Sequence, residues 1–400
     1  MKQRVIVIGH GYTSRLGVIR ALGRAGYEVT LVVIMLRNRH GQPDKTPPID
    51  SYSKYVNTVY YCPPDKDKLI ALLLEKCVEG CRKAVLFPGN DFSASVIDLN
   101  QEKLREFFLF PNIDHTPGAV VAWMSKLRQK ELAAKIGLNV AEGEVVDVID
   151  GKYTLPLGLT YPCFPKPMST LVGGKTGLGR CDSEQQLRQS IDLLVRRCSS
   201  VPILVEEYKR IDQEYALMGV SDGTTVHIPG ILKITSIAFG VHYGVAKRGE
   251  ILPVDGFEGF IELCRKFVRE TCFVGIFDID FFESDGQLFF CEMNFRYGGS
   301  GYAYTKSDVN LPDLFVRILR GEPVDSSKMV KNRAVYVNER MCLDDWYNRF
   351  ISTGEFLDFL RNHDISFIAD RDDPKPGRKF RSTMWKQGVK RAIKKCIGRL

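Results

Sequence analysis

The sequence predicts a mixed fold, a parallel α/β domain followed by a larger α+β body, and three observations predict it. In "RVIVIGHGYTSRLGVIRALGRAGYEVTLVVI" a β-branched run, a glycine-containing turn, a helical pattern and a second β-branched run follow in the order of one βαβ unit. Residues 213 to 251 read instead as antiparallel strands, with turn signals at Asp222-Gly223 and Pro229-Gly230. "GIFDIDFFESDGQLFFCEMNFR" is two strand patterns around Asp285-Gly286, a hairpin.

In chain order, the runs Val5 to Ile8 and Val29 to Ile34 flank a helix whose apolar positions include Leu16, Ile19 and Leu22. "AVLFPGNDFSAS" adds a strand ending at Pro88 to Asn90, and "FFLFPN" another before Pro111, so residues 1–115 are assigned to the parallel domain. Ser125 is placed to cap a helix "KLRQKELAAKI" that Gly137 stops. The short strand "YPCFPKP", a loop with four glycines in seven residues, an amphipathic helix capped by Asp182 or Ser183 and the strand "PILVEEYK" complete a unit over 116–205. The antiparallel strands, the helix "GFEGFIELCRKFVRETC" and the hairpin fill 206–320, and 321–400 is a C-terminal extension with a helical pattern in "LDDWYNRFISTGEFLDFLRN".

Four hundred residues, 44% hydrophobic and 26% charged, suffice for a core divided among two to four domains or subdomains. The eleven cysteines form no CxxC pair, which speaks against a zinc ribbon or a disulfide framework. From Arg371 to Leu400 eleven Lys or Arg face two Asp, a net +9 within a chain of +8, so the first 370 residues sum to −1. A nucleic-acid-binding body would carry its basic face on the fold itself, so no nucleic-acid partner is expected. The opening apolar run of five residues is too short for a signal peptide, and no stretch approaches the roughly 20 apolar residues that span a bilayer. The expected location is the cytoplasm.

Glu292, Asn294 and Arg296 stand two residues apart in "FFCEMNFRYGGS", so a strand there projects all three from one face and turns Cys291, Met293 and Phe295 to the other. A carboxylate and an amide oxygen are hard ligands that Mg²⁺ accepts, and a guanidinium matches the edge of a phosphate. The same spacing also describes a strand with one wet face, so the partner strand decides. If Ser284, Asp285 and Gly286 form a three-residue loop, Asp280 pairs opposite Phe290 and lies diagonal to Glu292 on the same face. A two-residue Asp285-Gly286 turn sets Asp280 opposite Cys291, on the wrong face, so a shared metal predicts the longer loop. Asp278 shares the face of Asp280, and the pattern leaves open whether it is a metal ligand, a substrate contact or a solvated carboxylate.

An acid at 280, twelve residues before "EMNFR" and preceded in order by "FPKP", a glycine-rich loop and "VEEY", resembles the ATP-grasp superfamily of ATP-dependent carboxylate ligases over residues 1–320. The resemblance implies the N-terminal α/β domain that precedes such folds, then two α+β subdomains, with ATP and Mg²⁺ or Mn²⁺ as cofactors. It implies that Lys166, between two prolines, contacts the nucleotide phosphates and that Lys126 is a second phosphate-binding lysine. The family often shows Asp-Lys where this chain has Ser125-Lys126, so Lys130 stays a rival. Gly173, Gly174 and Lys175 of "STLVGGKTGLG" resemble a lid over the triphosphate. Glu206, Glu207 and Tyr208 resemble the linker at the adenine edge, with Glu206 accepting from the amino group, and Glu214 resembles the acid on the ribose hydroxyls. Asp280, Glu292 and Asn294 are the implied metal ligands; Arg296 and Lys166 are the implied catalytic residues, and "YGGSGYAY" cradles an acceptor carboxylate. Lys233, His242, Lys247 and Arg248 are further cations suited to an anionic substrate.

The implied reaction is activation of a carboxylate as an acyl phosphate and its capture by an amine, releasing ADP and phosphate. The single-grasp length looks more like amino-acid or peptide ligases, including the D-aspartate ligase type, than like carboxylases. The expected partners are small-molecule carboxylate and amine substrates, with a homodimer as the assembly. Two other readings stand beside it: an ATP-binding regulatory protein without turnover, and a nicotinamide-dependent oxidoreductase using Gly9-His10-Gly11. Against the last, the third glycine falls at 17 rather than 14 and no acid ends the next strand. The tail supplies a separate signal. Trp385, Val389, Ile393 and Ile397 recur every four residues among lysines and arginines, which suits a helix on the anionic inner face of a membrane and equally a solvated or partner-bound basic helix.

Overall fold

The computed structural model describes residues 2–11, 13–36, 46–169, 171, 178–196, 200–240 and 244–396. Arg4–Gly9, Glu28–Ile34, Val56–Cys62, Ala84–Pro88 and Phe108–Leu109 form a parallel sheet in the spatial order third, second, first, fourth, fifth. The order reverses between the first and fourth strands, so the loops after Gly9 and Pro88 open a crevice at the strands' carboxyl edge. Helix Thr13–Arg24 joins the first two strands, and a Cβ on its Gly17 would lie 2.7 Å from the Cβ of Tyr302. Gly17 therefore serves close helix packing.

Helix Lys126–Ile136 begins where Ser125 Oγ accepts from the Arg128 amide and ends at Gly137, whose φ of 101° only glycine adopts freely. Cys163–Pro167 and Gly143–Val146 flank Ile203–Glu207 in a three-stranded antiparallel sheet, under which helix Glu184–Val195 buries Leu187, Ile191 and Leu194. The largest sheet runs through Gln287–Asn294, Phe273–Ser284, Gln213–Asp222, Ile231–Ile237, Ala246–Leu252, Ala334–Val337 and Ile365–Ser366. Phe277, Phe281, Phe290, Met293 and Phe295 face a core closed by helix Glu258–Glu270. That apolar floor leaves the opposite face of the hairpin to polar side chains.

Residues beyond 321 are woven into this body. Ala334–Val337 and Ile365–Ser366 lengthen the large sheet, and buried Arg20 on the first helix pairs with Asp373 at 3.0 Å. Lys247, also buried, pairs with Asp345 at 2.8 Å, and Arg248 reaches Asp358 at 3.4 Å and donates to the Asn362 carbonyl at 2.8 Å. These two cations hold the C-terminal segment rather than a substrate. Lys233 pairs opposite Tyr215, on the face turned away from Asp280, and His242 lies outside the described residues. Helix Pro374–Cys396 packs Phe380 and Met384 beside Leu343 and Phe356. Among the described residues no helix is long and apolar enough to cross a membrane.

Candidate active site

Ser284 pairs with Gln287, so the hairpin turn is Asp285 and Gly286, with φ of 49° and 74°. The three-residue loop expected for a shared metal is not formed. A β-bulge supplies the missing residue instead: Phe281 faces Phe290, but Asp280 faces Glu292, and Cys291 is left over between them. Asp280 opposite Glu292 and Asp278 opposite Asn294 thus share one face, with Met293 and Phe295 buried beneath. Cys291 corrects a second expectation. Both residues of a bulge oppose a single partner, and the Cys291 thiol lies within electrostatic reach of Lys166, Asp280, Glu206 and Glu292 instead of joining the core. Burial pushes its pKa up, so it is a neutral thiol.

The polar face is internally bonded. Asn294 Nδ2 donates to Asp280 Oδ2 at 3.2 Å, and Arg296 Nη2 donates to Asn294 Oδ1 at 3.3 Å. The same guanidinium reaches Asp91 Oδ1 at 3.2 Å through Nε and Asp278 Oδ2 at 3.5 Å through Nη1. Burial raises the pKa of Asp278, and the Arg296 charge opposes that rise. A Cβ on Gly298 would lie 2.6 Å from Asp278 Oδ1, so this glycine is what lets the carboxylate sit beside the chain after Arg296.

Both rival lysines arrive in the site, at different ends. Lys126 Nζ rests on Glu292 Oε2. Lys130 Nζ and Lys166 Nζ hold the two oxygens of buried Glu206 at 2.7 Å and 2.6 Å. Burial works against the charge of Lys166, and Glu206 more than offsets it; for Lys130 burial prevails and its pKa falls. The Glu207 carboxylate accepts from the Glu142 amide at 3.1 Å and pairs with Lys209 at 2.9 Å, so of the two acids only Glu206 turns toward the lysines. Tyr208 lies under the Arg180 guanidinium, 5.0 Å from the ring centre. Ala216 pairs opposite Asp280 and Glu214 opposite Phe282, which places Glu214 on the face of Asp280 one step farther along the sheet. Gly173, Gly174 and Lys175 lie outside the described residues.

A cleft of about 750 Å³ separates this face from the parallel sheet, lined by Asp278, Asp280 and Arg296 on one side and by His10, Asn90 and Asp91 on the other. The sequence reading missed Asp91, and took His10 only as part of a dinucleotide loop. Their signal is positional: each follows a parallel strand on either side of the order reversal. Asn90 caps helix Asp91–Leu99, its side chain accepting from the Ser93 amide at 2.9 Å, and so fixes Asp91 in the first turn. The His10 ring contacts the Asn90 amide, and burial, then Arg15, lower its pKa, so it is neutral at pH 7. Among the described residues no three His, Cys, Asp or Glu side chains converge on one point; the hairpin offers two carboxylates and an amide.

Solved structures share this architecture. The biotin carboxylase domain of the 2-oxoglutarate carboxylase from Hydrogenobacter thermophilus, a dimer with MgADP, ADP and bicarbonate, matches with a TM-score of 0.63 at 18% identity, over 84% of this chain and 74% of that one. N5-carboxyaminoimidazole synthetase from Staphylococcus aureus gives 0.61 at 17% identity, over 88% and 86%. An L-amino acid ligase from Bacillus licheniformis gives 0.58 at 16% identity, over 84% and 79%. The chain has the ATP-grasp fold. In sequence, it is 23% identical over 211 residues to the carbamoyl phosphate synthase large chain of Gemmatimonas aurantiaca, a match taking in 52% of this chain and 19% of that protein. The chain therefore spans about a fifth of the length of the curated relatives it matches. No family model matches the sequence. Within the ATP-grasp fold the cleft lies where the hairpin face meets the parallel domain, while Lys126 reaches the same hairpin through Glu292, and Lys130 and Lys166 gather on Glu206.

Proposed function

We propose that this chain is an ATP- and Mg²⁺-dependent ligase that joins a carboxylate to an amine and releases ADP and phosphate. The observation that carries the proposal is the hairpin face: Asp280, Glu292 and Asn294 share it with Arg296 bonded to Asn294, Lys126 sits on Glu292, and Lys166 sits on Glu206. The fold neighbours include structures with MgADP and with ADP, which supports the nucleotide. The donor set fits a hard divalent cation, and the Lys126 ammonium on Glu292 shows that this oxygen already draws positive charge. Asp280, Glu292 and Asn294 would hold Mg²⁺, which would neutralise phosphate charge.

The chain's own groups position the reactants and balance charge. A carboxylate oxygen attacks the γ-phosphorus, the bond to the bridging oxygen breaks and ADP leaves. Arg296, aimed by Asp91 and Asp278, faces the phosphoryl as it transfers, and Lys166 offsets the triphosphate. The amine then attacks the acyl carbon, and the carbon–oxygen bond to phosphate breaks. The proton that the attacking amine loses leaves on the departing phosphate. The L-amino acid ligase neighbour supports an amino acid or peptide as substrate, with an envelope precursor in the same chemical class.

With Mg·ATP and a panel of amino acids and dipeptides, purified protein is expected to release ADP only when an acid and an amine are both present, with a product of their summed mass less one water. Nucleotide binding without ADP release across the panel would leave a regulatory ATP-binding protein. A second measurement tests the acid beside Arg296. Gly298→Ala would put a Cβ 2.6 Å from Asp278 Oδ1 and shift Asp278 with its guanidinium partner. ADP release is expected to fall on the order of 100-fold at an unchanged unfolding midpoint; wild-type turnover would remove Asp278 from the mechanism.

A further inference from the structure

Helix Pro374–Cys396 has two differently used faces. Phe380, Met384 and Gly388 recur every four residues; the first two sit in the cluster of Ile49, Leu343 and Phe356, and a Cβ on Gly388 would lie 3.7 Å from the Trp346 ring. That stripe fixes the helix to the body. Arg378, Arg381, Trp385 and Val389 recur at i, i+3, i+7 and i+11, a second stripe on the outward side. Trp385 is 70% exposed and Val389 39%, and Arg378, Arg381 and Lys386 are exposed around them. The side chains of Ile393 and Ile397, expected to continue the apolar stripe, lie outside the described ones.

We propose that this outward face seats the protein on an anionic lipid bilayer, with Trp385 and Val389 in the headgroup boundary and Arg378, Arg381 and Lys386 on lipid phosphates. Charge complementarity selects the occupant: residues 374–400 contain ten Lys or Arg and no Asp or Glu, and Arg378, Arg381 and Lys386 among them are exposed with Trp385 and Val389. The indole distinguishes lipid from other polyanions. Tryptophan has an apolar body and a polar N–H and gains from a boundary that is apolar on one side and wet on the other. Because the inner stripe is already packed on the body, the helix lies flat as it binds and does not insert. The Lys379 ammonium stands 5.0 Å above the Tyr52 ring, which helps hold that orientation.

Full-length protein is expected to sediment with vesicles of mixed phosphatidylglycerol and phosphatidylcholine, not with phosphatidylcholine alone, and to be released by salt. Trp385→Ala is expected to weaken vesicle affinity on the order of ten-fold through lost boundary burial. The triple change Arg378→Ala, Arg381→Ala and Lys386→Ala is expected to weaken it on the order of 100-fold, since each cation near an anionic surface is worth about five-fold. All four side chains are exposed, so ADP release and the unfolding midpoint are expected to stay at wild-type values. Failure to sediment with anionic vesicles, equal sedimentation with neutral ones, or anionic-vesicle binding that neither variant changes would overturn the proposal. So would structured RNA binding at the same salt that displaces the vesicles and is indifferent to Trp385→Ala.

Discussion

Glu292→Gln is expected to lower ADP-forming turnover on the order of 100-fold or more and to move the Mg²⁺ requirement to higher concentration. Glu292 stands opposite Asp280, and removing its charge leaves one carboxylate and two amides where two carboxylates and one amide would hold the cation. The substitution keeps the side chain's size and an oxygen, so it tests charge rather than packing. Burial acts to raise the Glu292 pKa, yet Lys126, then Lys166 and Arg296, hold it below the usual carboxylate range, so it is an anion at neutral pH. Its neutral replacement also frees Lys126 from its partner. Two readouts separate these effects. Titration of ADP release with Mg²⁺ reports the metal role, and Lys126→Met, which keeps the carboxylate, is expected to weaken nucleotide binding while preserving the Mg²⁺ midpoint. A Glu292→Gln protein with wild-type Mg²⁺ dependence would place the metal elsewhere.

The grouping of polar side chains on the hairpin was legible because it is local. Alternation along one strand put Glu292, Asn294 and Arg296 together, and a hairpin read from Asp285-Gly286 brought Asp280 across. The way Asp280 arrives was not legible. A bulge costs one residue of register and leaves no compositional trace in "FFCEMNFR", so the correct face was inferred from an incorrect turn, and Cys291 was sent to the wrong side. Asp91 was missed for another reason. Its contact to Arg296 spans 205 residues, and nothing near either residue specifies a partner that far away. The C-terminal segment shows the same limit. Its two-residue strand at Ile365–Ser366 is too short for a periodic signal and exists through pairing with Ala334–Val337. Lys247 and Arg248 looked like substrate cations because the acids that claim them lie about a hundred residues downstream.

Arg20→Ala is expected to destabilise the protein by roughly 3–5 kcal/mol, the cost of leaving a buried charge without its partner. Arg20 and Asp373 are both fully buried, and the guanidinium also donates to the carbonyls of Phe367 at 3.0 Å, Ile368 at 2.9 Å and Asp373 at 3.1 Å. Without it, Asp373 keeps only the Ser53 hydroxyl at 2.7 Å and the Lys54 amide at 2.9 Å, and three buried carbonyls lose a donor. The loss falls where the first helix meets residues 365–373, so proteolysis there is expected to quicken before the parallel sheet loses its circular dichroism. Removing both charges is the sharper measurement. Arg20→Met with Asp373→Leu exchanges the pair for apolar groups of similar size, and such exchanges are often close to neutral, so the double variant is expected to be more stable than Arg20→Ala. If Arg20→Ala unfolds and resists protease like the wild type, the pair does not hold the C-terminal segment, and the sheet pairing of Ala334–Val337 must do so without it.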